Sequence, residues 1–178
     1  MVVEVGIRSS SKPVNTGAEI PSCSSMKDSS ANLKQISHEV DIARRTRPDF
    51  SILVYPVITM EIGVTHKGTR ERLITENAVW NHHVADWYSL EKQVTRFTPP
   101  TFLALCSDDK VVPAENSLMY YNSLIDHDVP AELHIWPNGG HGWGFASEKY
   151  NGKGKDSFSE YRSEFEVSLE RWLQKVKK

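Results

Sequence analysis

The run PPTFLALCSDDKVVPAENSLMYYNSLIDHDVPAELHIWPNGGHGWG, residues 99–144, holds two strand patterns separated by a helical one. PPTFLALCSDD (99–109) is a continuous apolar stretch opened by two prolines and closed by two acids, the pattern of a strand covered on both faces. PAENSLMYYNSLIDHD (113–128) follows, with Pro113 suited to a first helical turn. Leu118, Tyr121 and Ile125 recur at i, i+3 and i+7, which predicts an amphipathic helix with that face inward. VPAELHIWP (129–137) alternates through Ala131, Leu133 and Ile135 and predicts a further buried strand. NGGHGWG (138–144) is a glycine-rich turn. Strand, helix, strand in this order implies parallel pairing with a crossover.

SILVYPVIT (51–59) is another continuous apolar run, and Pro56 should end its ladder. Residues 60–98 are mixed: LEKQVTRF suggests a short helix, and WNHHVADWY has no clean period. In the tail, Tyr161, Phe165, Leu169, Trp172, Leu173 and Val176 mark one face of a closing helix, with Lys175, Lys177 and Lys178 at its C-terminal dipole end. At the front, VVEVGI (2–7) reads as a short strand, and Arg8 to Lys34 is serine-rich and without period, the composition of a polar, disordered loop. The expected fold class is therefore α/β: a mostly parallel sheet of about four strands with flanking helices. The expected organisation is a strand and loop over 1–46 and the packed domain over 47–178.

Composition narrows the function classes. The 178 residues carry 21 Lys and Arg against 23 Asp and Glu. A net charge of -2 offers no electrostatic reason to expect nucleic acid or an anionic membrane as partner. No apolar run approaches the ~18 residues of a membrane helix. Two cysteines, Cys23 and Cys106, exclude a disulfide-dense scaffold. MVVEVGIRSS has no basic leader pattern, which leaves the compartment open with the cytoplasm as default.

In open parallel sheets, ligands bind beyond the C-terminal strand ends. Those ends carry Asp108–Asp109 and Gly139–His141. An acid and a histidine on neighbouring loops of one sheet edge can meet. The carboxylate then fixes the imidazole tautomer, and the other ring nitrogen is free to act as general base. Asp108 is either a second acid supporting this pair or a solvated strand end. Trp136 and Trp143 bracket His141 as a sugar-stacking wall or leaving-group pocket, or as core and rim packing. Cys106 reads as an inert core thiol and His134 as packing or surface. His82-His83 cannot both face one point on a regular element, so no metal site is expected.

These residues carry a resemblance. Asp109-Lys110-Val111-Val112-Pro113 and Gly139-Gly140-His141-Gly142 are similar to the acid and histidine motifs of the α/β-hydrolase family. RPDFSILVYPVITM resembles that family's sixth strand and the loop after it. The likeness covers roughly residues 47–173, the C-terminal half of such a domain. It is nearest to the esterase/lipase group that includes acetyl-xylan-esterase-like proteins. It implies a Ser-His-Asp type hydrolysis of a carboxylic ester, with Asp109 and His141 as catalytic residues. It also implies a small-molecule or carbohydrate ester substrate, deacetylation of sugars among the options, and no cofactor or metal.

One departure is large. The family places a G-x-S-x-G elbow after its fifth strand. VVEVGI is similar to that strand, but Arg8-Ser9-Ser10-Ser11-Lys12-Pro13 follows, with no glycine two residues from any of those serines. The expectation is a truncated hydrolase, inactive for want of a nucleophile, with a shifted reading frame as one route to the altered segment. The alternative is a non-catalytic fragment or a module completed by a partner, because an exposed sheet edge at VVEVGI would recruit another chain, a second copy included. A flavodoxin-like nucleotide binder is a third reading. It would need a phosphate loop where RSSSKPVN stands.

Overall fold

A computed structural model of the chain describes residues 47–74, 82–144 and 157–176. The strand expected at 2–7 and the loop over 8–34 lie outside these residues, as do Cys23 and the serines at 9–11. The described residues from Phe50 onward form one compact unit.

Its centre is a sheet of three parallel strands in the order β1-β2-β3: β1 is Ser51–Val54, β2 Thr101–Cys106 and β3 Ala131–Trp136. Ser51 pairs with Thr101 and Thr101 with Ala131, while Cys106 pairs with Trp136. This register brings the three C-terminal ends close together. β1 stops at Val54, two residues before Pro56, as the missing proline donor requires.

Strand side chains alternate between faces. On one face Ile52 and Val54, Phe102, Ala104 and Cys106, and Trp136 form a core with Phe165 and Trp172 of the closing helix α4 (Arg162–Val176). Tyr161, Leu169, Leu173 and Val176 pack at its margin, so the helix face read from the sequence is the one buried. On the other face Leu53 and Leu103 meet Leu124 of the helix α3 (Glu115–Asp126), with Ile58, Val94 and Val129.

Two expectations need correction. In α3 the inward face is not Leu118–Tyr121–Ile125. Leu118 is 39% and Ile125 48% exposed, and the helix buries Ser117 and Leu124 with Tyr120 and Tyr121 packed beside them. Positions 117, 120, 121 and 124 are also one helical stripe, but a serine and two tyrosines make it look polar. The expected burial of β3 is likewise incomplete. Ile135 is 41% exposed, because β3 is paired on one side only among the described residues.

Between β1 and β2 the chain forms two short helices, α1 (Lys67–Leu73) and α2 (His82–Tyr88), and a 3-10 turn at Leu90–Gln93. The helix expected over LEKQVTRF is thus only that single turn. Asn116, fully buried, ties the loop after β1 to α3. Its side-chain oxygen accepts the N–H groups of Ile58 and Thr59, and its amide donates to the carbonyls of Val64 and Pro113. No described helix is long and apolar enough to cross a membrane.

Candidate active site

Three loops leave the C-terminal ends of the strands. The loop after β2 turns sharply: the Asp109 N–H returns to the Cys106 carbonyl at 3.3 Å. Asp109 then folds its side chain over the next residues. One carboxylate oxygen accepts the N–H groups of Val111 at 2.8 Å and Val112 at 2.9 Å, an Asx-type turn. The side chain is 1% exposed. Its second oxygen lies 2.8 Å from Nδ1 of His141, on the loop after β3. A carboxylate only accepts, so Nδ1 carries the proton and Nε2 is left as the basic nitrogen. The His141 ring is 21% exposed, accessible on one side while Asp109 is sealed beneath it. Asp109 and His141, 32 positions apart, are thus brought together. Among the described residues Asp109 is the hydrogen-bond partner of His141.

Asp108 is not a solvated strand end. Its carboxylate accepts the N–H groups of Gly140 at 2.8 Å and Gly139 at 3.3 Å, so it holds the loop that carries His141. Gly139 is required where it stands: its φ is +141°, and a Cβ there would lie 2.6 Å from Cys106 Sγ and 2.8 Å from Phe158. Trp136 and Trp143 are both buried, and Trp143 stacks on Phe158 with centroids 3.9 Å apart. They are core residues, which corrects the sugar-wall alternative. Cys106 is buried beneath the same loop. Burial, with the charge of Asp108 adding to it, pushes its thiol up to about 12, which makes it inert at neutral pH. His134 stacks against Phe102 and Trp136 and meets Glu132 at 2.9 Å, away from His141 in role.

Tyr55 also belongs to the candidate site. By strand alternation after Val54 it should point to the face of Leu53. Instead its φ is +41°, and its side chain joins the core of Ile52 and Val54. A bulky residue at positive φ before a proline is disfavoured twice over, by about 1–3 kcal/mol for the first alone. Tertiary contacts hold it there. Its N–H bonds to the Ala104 carbonyl at 2.8 Å, its ring lies 4.5 Å from that of His141, and its hydroxyl accepts the Gly144 N–H at 2.9 Å. Burial raises its pKa, partly offset by the Gly144 bond and reinforced by the charge of Asp109. The sequence held one signal, the Tyr-Pro pair at the end of an apolar strand, but nothing in it gives the sign of φ.

Among the described residues no three His, Cys, Asp or Glu side chains converge to hold a metal ion.

Comparisons with known proteins bear on the family and the fold. The model of the prolyl oligopeptidase family matches residues 49–164. An acetylxylan esterase of Xylanibacter ruminicola is 30% identical over 132 residues, 73% of this chain and 25% of the relative. Endo-1,4-beta-xylanase B of Butyrivibrio fibrisolvens is 38% identical over 104 residues, 58% of this chain and 16% of the relative. Among solved structures, an acetyl ester-xyloside bifunctional hydrolase from Caldicellulosiruptor lactoaceticus superposes with a TM-score of 0.56 at 35% identity, over 73% of this chain and 43% of that one. The chain spans a quarter or less of the length of these two curated relatives. The sheet, the strand-end loops and the family match lead to one assignment: the chain belongs to the prolyl oligopeptidase family, among the α/β hydrolases.

Proposed function

We propose that this chain carries the acid and base of an esterase-type hydrolase acting on carboxylic esters, acetylated sugars among them. His141 is the general base and then the general acid, and Asp109 orients it and stabilises the imidazolium. The observation that carries the reading is the 2.8 Å bond from Nδ1 to a sealed carboxylate whose other oxygen is already occupied by two backbone N–H groups. An acid held in this way has one oxygen to give, and it gives it to the histidine. The names of the relatives, an acetylxylan esterase and an acetyl ester-xyloside hydrolase, favour acetyl esters on xylose-based sugars as the substrate class.

These residues supply an acid and a base but show no family-type nucleophile motif. The family elbow pattern G-x-S-x-G is absent from Arg8–Pro13, and the partial span of the relatives favours a module that works only when completed. On this reading the chain alone turns over p-nitrophenyl acetate no faster than free imidazole at equal concentration. Mixed with a separately produced front half of the Xylanibacter esterase domain, it releases acetate. Turnover by the chain alone, comparable to an intact esterase and lost in His141→Ala, would place a working nucleophile within these 178 residues and overturn the inactivity.

A further inference from the structure

We propose that Tyr55 and Asp108 are positioning residues that clamp the His141 loop from its two ends and so keep Nδ1 on Asp109. The inference rests on the reading of His141 as the base. The loop has little conformational preference of its own: Gly139, Gly140, Gly142 and Gly144 all have positive φ, in the region glycine enters freely. Without outside contacts such a segment samples many conformations. Two acceptors from other strand ends grip it. Before His141, the Asp108 carboxylate takes the Gly139 and Gly140 N–H groups. After it, the Tyr55 hydroxyl takes the Gly144 N–H, and the Tyr55 ring lies against the imidazole.

The grip of Tyr55 depends on its backbone. Only the positive φ, which breaks strand alternation, brings its side chain to the face where His141 lies. Neither residue bonds to Nε2, where the reacting proton moves. Both therefore act through the orientation of the ring. A residue that merely filled the core would contribute packing and leave the Nδ1–Asp109 bond indifferent to its hydroxyl.

The test follows the His141 Nδ1 proton by NMR in the full 15N-labelled chain, well below the urea midpoint. In the unmodified chain that proton is expected to exchange slowly with solvent. Tyr55→Phe keeps the ring and removes the acceptor. It should raise exchange of the Gly144 amide and of the Nδ1 proton together, each by about tenfold, the scale of one lost hydrogen bond. Asp108→Ala should do the same for the Gly140 amide and the Nδ1 proton. An Nδ1 exchange rate unchanged in Tyr55→Phe, whatever happens to the urea midpoint, overturns the role of Tyr55, and the same result in Asp108→Ala overturns that of Asp108. A freely exchanging Nδ1 proton in the unmodified chain is a different failure. It removes the Asp109–His141 pair itself and the clamp with it.

Discussion

Gly139 shows how little slack the candidate site has. Its φ of +141° and the 2.6 Å and 2.8 Å approaches of Cys106 and Phe158 to a notional Cβ leave no room for a methyl group. Gly139→Ala should therefore destabilise the chain by about 2–4 kcal/mol, strain and overpacking combined. Gly140, at φ +65° with open space around it, should cost only about 1 kcal/mol on the same change. Urea unfolding of the two variants measures the difference, and equal losses would show that the Cys106–Phe158 contact does not constrain the loop. At this scale Asp109 and His141 were legible because the sequence marks them twice, by strand-end position and by loop chemistry. Asp108 was not, since a carboxylate beside a strand end looks the same whether it faces water or a backbone N–H. Tyr55 was hidden for a different reason: its role follows from one backbone angle that tertiary contacts impose.

The elements teach a related lesson about faces. Helix α4 was readable because Phe165, Leu169, Trp172, Leu173 and Val176 outnumber the one serine, Ser168, on its buried face, while α3 hides a stripe of serine and tyrosines behind a more apolar but exposed one. The corrected face makes a prediction. Leu124→Ala should cost about 2–5 kcal/mol, as for a fully buried leucine. Leu118→Ala should stay within about 1 kcal/mol. If Leu118 proves the costlier of the two, α3 is rotated from the placement described. The edge strand β3 is fastened to α4 by charge as well as packing. Glu132 meets His134 at 2.9 Å, Arg171 at 2.9 Å and Lys175 at 3.7 Å. Partial burial opposes the charged carboxylate, but the His134 and Arg171 bonds and the Lys175 charge outweigh it and lower the pKa of Glu132. A lowered folded pKa stabilises the fold above the ordinary carboxylate value of about 4.3 and loses that contribution as pH falls through the folded value. The stability gap between the unmodified chain and Glu132→Gln should therefore be present at pH 7 and shrink below about pH 4. A gap that is constant with pH would mean that the cluster is not linked to folding.

Of the sheet of about four strands expected, the three parallel strands among the described residues, with helices on both faces, were legible from apolar runs and helical periods. The segment between β1 and β2 was not, because α1, α2 and the 3-10 turn are too short to show a period. What the chain does is likewise written in parts. The family match covers residues 49–164, and both members of the Asp109–His141 pair fall within it. On the proposed reading the reaction also needs a nucleophile and oxyanion donors, each lowering the barrier by several kcal/mol. We propose His141, held by Asp109, as the base of an esterase-type reaction. The most direct test of this role is acetate release by this chain completed with the front half of the Xylanibacter esterase domain, compared with the same mixture carrying His141→Ala or Asp109→Asn. His141→Ala should lower kcat by about 10⁴-fold or more and Asp109→Asn by about 10³- to 10⁴-fold, with the mixture still assembled by size exclusion. Acetate release that persists in His141→Ala at the unmodified rate would contradict that role.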